Sequence, residues 1–184
     1  MLIRKLSRFL WIASLGVALP LCAQSSPALP SASATLADPE PEQAPVGRLA
    51  SLVSKATAYL GRPYRHGGIT PSGFDCSGFV HFVFSSIGVD LNRSSGAQAR
   101  QGDPVDLNHL LPGDLLFFST RGVRKGISHV AIYMGNGKFI HASNWGGPGK
   151  RCVRFGELAT RYFSERLVSA RRVIDPLDPD SKTP

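Results

Sequence analysis

Residues 74–83 read Phe74-Asp75-Cys76-Ser77-Gly78-Phe79-Val80-His81-Phe82-Val83, and the rest of the chain is best read outward from them. Aspartate is a favoured helix N-cap, and a thickly apolar run begins just after Asp75. Phe79, Val80, Phe82, Val83 and Ile87 make a helix that should be buried on most sides and should stop at Gly88. Cys76 then lies in the first helical turn. Unpaired backbone N–H groups and the positive end of the helix dipole favour a thiolate there, the attacking form in acyl transfer. Gly78 leaves room for another segment to approach closely. The plainer alternative is a structural cysteine, which would sit deeper along the apolar face.

Toward the N-terminus, Leu49, Leu52, Val53, Ala56 and Leu60 recur at helical spacing, and Gly61-Arg62-Pro63 ends that helix. A Gly-rich loop, with Gly67, Gly68 and Pro71-Ser72-Gly73, leads into Asp75. Toward the C-terminus, residues 89–112 read as loop with a short helix around Ser95–Arg100. From Asp114 the period changes. Leu115–Phe118 reads as a buried strand. His129–Met134 and Lys138–His141 read as a hairpin around Gly135-Asn136-Gly137, and residues 167–173 as a weaker last strand. Helices first and antiparallel strands after give an α+β fold, with the N-terminal helices packed on the sheet.

The ends differ in composition. Arg4, Lys5 and Arg8 precede an apolar run from Phe9 to Cys22, too short to span a bilayer, and Leu21-Cys22-Ala23 offers a cleavage site. Residues 1–23 therefore read as a secretory signal peptide and the product as exported, to the periplasm. A retained anchor and lipid attachment at Cys22 are the alternatives, the latter disfavoured by bulky Leu21. Residues 24–47 are a Pro/Ser/Ala tether, 48–174 the folded domain and 175–184 a disordered tail. The chain carries +8, and +5 once residues 1–23 are removed. That charge suits an anionic polymer. No basic run with interleaved aromatics appears, which argues against nucleic acid. The domain is expected to be a monomer with no transmembrane span once the signal is gone.

A thiolate needs a base, and His66, His81, His109, His129 and His141 are available. His129 and His141 fall on adjacent strands of the proposed hairpin. Side chains alternate along a strand, so a two-residue turn would put them on opposite faces. A three-residue loop would set His129 opposite Ser143 and His141 diagonally beside it on the same face. His129 could then take the Cys76 proton while His141 held the far nitrogen of its ring. The same three residues could instead ligate zinc, but no His or Cys spacing supports a metal. No cofactor is expected. Cys152 opens another reading, a wall-binding module with a Cys76–Cys152 disulfide and no catalysis.

Gly61-Arg62-Pro63-Tyr64-Arg65-His66-Gly67-Gly68 with Phe74–Val80, then Pro112-Gly113-Asp114-Leu115, then Ser128–Tyr133 with Gly135-Asn136-Gly137 and His141-Ala142, resemble the NlpC/p60 family of cell-wall peptidases. The resemblance covers about residues 50–174. It implies a papain-like core and a triad of Cys76, His129 and His141. It implies an oxyanion role for Tyr64, which otherwise reads as a loop aromatic. It implies that Asp75, Ser77, Arg93, Ser94 and Gln98 contribute to the substrate cleft. The implied reaction is hydrolysis of peptidoglycan stem peptides through a thioester, at the D-glutamyl–diaminopimelate bond or the D-alanyl crosslink. A basic rim from Arg65, Arg93 or Arg100 would help to capture the stems' carboxylates. An amidase or acyltransferase on the same core is the closest rival.

Overall fold

The computed structural model describes residues 47–122, 126–147 and 149–174. The expected export signal with Cys22, the expected tether up to residue 46 and the expected tail from 175 lie outside the described residues. Among those described, no helix is long and apolar enough to cross a membrane.

Helix α1, Gly47–Ala58, lays Leu52 and Ala56 into the core. Tyr59, at its end, meets Phe74 and Phe82 edge-on with ring centroids 5.6 and 5.1 Å apart. These contacts pin α1 to α2, which spans Cys76–Ser85. Phe79, Val80, Val83 and Phe84 of α2 are fully buried. Each contributes about 2 kcal/mol of burial free energy. Gly88, at a φ of +78°, takes the left-handed turn that ends the helix.

The Gly-rich stretch read as loop contains a two-stranded ribbon, β1 (Ile69–Thr70) and β2 (Gly73–Phe74). Its Gly68 carbonyl accepts the Asp75 N–H at 3.0 Å. The same oxygen lies 2.1 Å from where a Cβ on Gly78 would stand, so the close approach expected at Gly78 is real. The short helix α3 covers Ser95–Gln98, with Ser94 as its N-cap.

Strands β3 (Asp103–Val105), β4 (Leu115–Phe118), β5 (His129–Gly135), β6 (Lys138–Ala142), β7 (Val153–Glu157) and β8 (Leu167–Arg172) form one antiparallel sheet in the order β3-β8-β4-β5-β6-β7. Strands β3 and β7 and the short helix α4, Arg161–Ser164, fell outside the sequence reading. One sheet face packs on α1 and α2 through Leu115, Phe117, Val130, Ile132, Ile140 and Ala142. The other carries Leu116, Phe118, Ala131 and Phe139 under Phe163 of α4. The architecture is α+β, as expected from the order of elements. Asp114 is a structural residue: it is buried and takes two bonds from Arg172, each 2.8 Å.

The hairpin reaches the expected register by an unexpected route. Asn136 and Gly137 form a two-residue turn, both with positive φ, 51° and 71°. A bulge between Tyr133 and Gly135 then inserts Met134. Ile132 faces Ile140, so the extra residue restores the parity that puts His129 and His141 on one face.

Candidate active site

The site lies where the N-terminus of α2 meets the start of β5. Asp75 builds the first wall. Its Oδ1 accepts the Gly78 N–H at 2.7 Å as the N-cap bond, and its Oδ2 accepts from Gly67 N–H at 2.9 Å. Arg93 clamps both oxygens at 3.0 and 2.5 Å. Burial alone would raise the Asp75 pKa, but the Arg93 bond and the Gly78 and Gly67 N–H groups outweigh it and hold the carboxyl below its usual range.

Cys76 follows, half-buried and a free thiol, as is Cys152. The disulfide of the wall-binding reading is therefore absent. The Cys76 sulfur lies within reach of the N–H groups of Val130, Ser77 and Cys76 itself. These donors and the helix terminus favour a thiolate. Burial raises the thiol pKa more strongly, and the Asp75 charge beside it adds to the rise. The net direction is upward, so burial and the Asp75 charge outweigh the donors that favour a thiolate.

Val130 is the residue after His129, so β5 brings the imidazole to the thiol's end of the cleft. His129 Nε2 and His141 Nδ1 are 2.7 Å apart. His129 opens one edge to the cleft, yet desolvation lowers its pKa to about 4. His141 is buried between Phe139 and Phe163, at 5.1 and 5.6 Å, and its Nε2 has no hydrogen-bond partner. Burial, then His129 and Arg154, push its pKa well down. Both rings are neutral at pH 7.

Tyr64 completes the near wall. Burial raises its pKa, and Cys76 and Asp75 add to the rise, so its hydroxyl remains a donor. All five residues, Tyr64, Asp75, Cys76, His129 and His141, line one cleft of about 480 Å³, with Ser77, Ser94, Arg121, Trp145, Tyr162 and Phe163 among its other walls. Among the described residues, no cluster of three His, Cys, Asp or Glu groups is arranged to hold a metal.

A comparison with known protein families matches residues 61–172 to the NlpC/P60 family. The chain belongs to the NlpC/P60 family. It is 38% identical over 123 residues to a gamma-D-glutamyl-L-lysine dipeptidyl-peptidase of Bacillus cereus, a match taking in 67% of this chain and 36% of that protein. It is 41% identical over 117 residues to a probable endopeptidase p60 of Listeria innocua, covering 59% of this chain and 24% of the other. The crystal structure of an NlpC/P60 family protein from Bacillus cereus superposes with a TM-score of 0.61 at 38% identity, covering 67% of this chain and 39% of that one. The chain thus spans well under half the length of these relatives.

Within this NlpC/P60 domain, Asp75, Ser77 and Ser94 line the cleft. Gln98 does not. It has no exposed surface, and its Nε2 donates to the Ser77 and Asn92 carbonyls at 3.0 and 2.8 Å, bracing the α2 terminus. Arg93 likewise spends its guanidinium on Asp75 and Ser77. Among the described residues lining the cleft the arginine is Arg121, from the β4–β5 loop, rather than Arg65, Arg93 or Arg100. Arg65 lies across Gly73. Trp145, Tyr162 and Phe163 went unremarked in the sequence because they come from the loop after β6 and from α4, which carry no motif.

Proposed function

We propose that this domain is a cysteine peptidase that hydrolyses amide bonds in peptidoglycan stem peptides, acting outside the cytoplasm. Cys76 is the nucleophile, His129 the general base and acid, His141 the residue that orients His129, and Tyr64 an oxyanion donor. The observation that carries this is one cleft holding a thiol at a helix N-terminus and an imidazole whose far nitrogen is engaged at 2.7 Å by a second, buried imidazole.

The chemistry follows from the protonation states. With Nε2 turned to His141, His129 has Nδ1 left for the thiol. The Cys76 sulfur attacks the amide carbonyl as its proton passes to Nδ1. Tyr64 O–H and the Cys76 N–H donate to the oxyanion. Collapse expels the amine, which takes the proton from His129 and leaves a thioester. Water, deprotonated by His129, attacks the thioester carbonyl and releases the acid and the thiol. His141 accepts from His129 Nε2–H throughout, so its own proton sits on Nε2, facing the rings of Phe139 and Phe163. An unpartnered buried N–H costs about 1–3 kcal/mol. That cost is intelligible where the residue serves chemistry.

The relatives named gamma-D-glutamyl-L-lysine dipeptidyl-peptidase favour the D-glutamyl bond over the D-alanyl crosslink. Mass analysis of muropeptides released from sacculi tests this. Fragments ending in D-glutamate are expected; intact stems separated only at the crosslink would assign the other bond.

A further inference from the structure

Arg154 stands directly across the β6–β7 ladder from His141. Facing residues of an antiparallel pair project from the same side of the sheet, with Cβ atoms about 4.5–5.5 Å apart. Among the described residues nothing neutralises this arginine. It takes part in none of their ion pairs, and its buried Nε has no hydrogen-bond partner. Glu157, the acid on β7, is three positions along and so projects from the opposite face, where Lys138 is its partner. Glu165, which caps α4, is engaged by Arg161 and Arg166 at 2.7 and 3.6 Å. Tyr162 and Phe163 of α4 offer rings beside Arg154, not carboxylates.

The hydrogen-bond accounting of the histidine pair gives this charge a task. In the proposed mechanism His141 Nδ1 accepts from His129 Nε2–H, which leaves His129 Nδ1 bare for the Cys76 proton. A protonated imidazole carries N–H on both nitrogens and has no acceptor left. A His141 imidazolium would therefore donate from Nδ1 into His129 Nε2. The one proton of a neutral His129 would then sit on Nδ1, where the thiol proton has to go. Protonating His141 thus disables a base that has not itself been protonated. The ring is faced by His129 from β5, Arg154 from β7, and the uncharged Phe139 and Phe163. Of these, the arginine holds its charge at every working pH. Burial opposes a proton on His141 most, His129 next, and Arg154 adds to both.

We propose that Arg154 is a positioning residue for the histidine pair: facing His141 across the ladder, its fixed charge keeps a proton off that ring, so that His141 goes on accepting and His129 keeps the tautomer able to take the thiol proton. The proposal deepens the peptidase reading above and makes Arg154 a determinant of activity in mild acid.

The test is the pH dependence of muropeptide release from sacculi by the full chain, taken as the rate of each variant over that of the parent, so that the substrate's own titration cancels. For Arg154→Gln the ratio should be near one at mildly alkaline pH and fall by up to about tenfold toward pH 5, the effect of one pH unit of displaced ionisation. Arg154→Lys, which keeps the charge, should hold the ratio near one throughout. Should Arg154→Gln fold poorly, Arg154→Met suits the aromatic surround and makes the same comparison. A ratio that is low but constant with pH overturns the proposal, because lost packing slows the enzyme evenly. Imidazole nitrogen NMR reads the ring without activity. His141 should take its proton about one pH unit higher in Arg154→Gln than in the parent. An unmoved His141 titration overturns the proposal whatever the rates. A displaced titration in a parent that releases no muropeptides would sink the peptidase reading and leave the hold of Arg154 on His141 standing.

Discussion

The two halves of the cleft are built on opposite principles. On the cysteine side, the charged group is fully paired: the Asp75 carboxylate takes bonds from Gly67, Gly78 and Arg93, and Gln98 Nε2 braces the Ser77 carbonyl, with only the Gln98 Oε1 buried without a partner. On the histidine side, two buried nitrogens on facing residues, His141 Nε2 and Arg154 Nε, have no partner. The first half is fixed by local bonding that a helix terminus and a clamp can supply. The second is held by aromatic packing around groups that packing alone would not choose. The difference separates what stabilises the domain from what the proposed reaction requires.

That separation can be broken from either side. The largest effects belong to the reacting groups. Cys76→Ala and His129→Ala should each reduce muropeptide release by about a thousandfold or more, with little change in melting temperature. Next, Asp75→Ala should cost about 2–4 kcal/mol in denaturant unfolding, since it removes the cap of α2, orphans the Gly67 N–H and leaves Arg93 unclamped. His141→Leu should do the reverse. It should lower kcat by about ten- to a hundredfold while leaving stability within about 1 kcal/mol, because an apolar side chain suits the Phe139–Phe163 surround.

Much of the cysteine side was legible because its rules are local. Asp75 reads as an N-cap, the run from Phe79 as a buried helix and Gly78 as a close approach, all from neighbours in sequence. The pairing of His129 with His141 was legible only as a condition on register. The structure met that condition with a bulge at Met134, which no residue in the turn announces. Strand β7 escaped notice because it is an edge strand with only Val153 well buried and Phe155 exposed, so its alternation is faint. Tyr64 was reached by resemblance alone. The upward shift of the Cys76 thiol was not legible, for a physical reason. A helix terminus is visible in sequence, whereas the burial and the neighbouring Asp75 charge that outweigh it come from the assembled fold.

The halves should also part company on acidification. His129 is neutral in the fold down to about 4, whereas in the unfolded chain it takes a proton near its ordinary value of 6.5. Unfolding therefore binds a proton as pH falls between those values, and stability is lost in that window. Asp75, depressed in the fold, stabilises above the ordinary carboxylate range and loses that contribution only at lower pH. Melting temperature against pH should show the histidine step first, and His129→Ala should shrink it, leaving the part that the likewise depressed His141 supplies and the acid limb in place.

The protonation state of Cys76 carries the mechanism, and thiolate absorbance near 240 nm reads it directly. The difference spectrum between the parent and Cys76→Ala should stay flat through neutral pH and rise only above the ordinary thiol value of 9.0, the mark of a proton that leaves during attack. A full thiolate signal already present at pH 6 would contradict the account and point to a preformed thiolate–imidazolium pair.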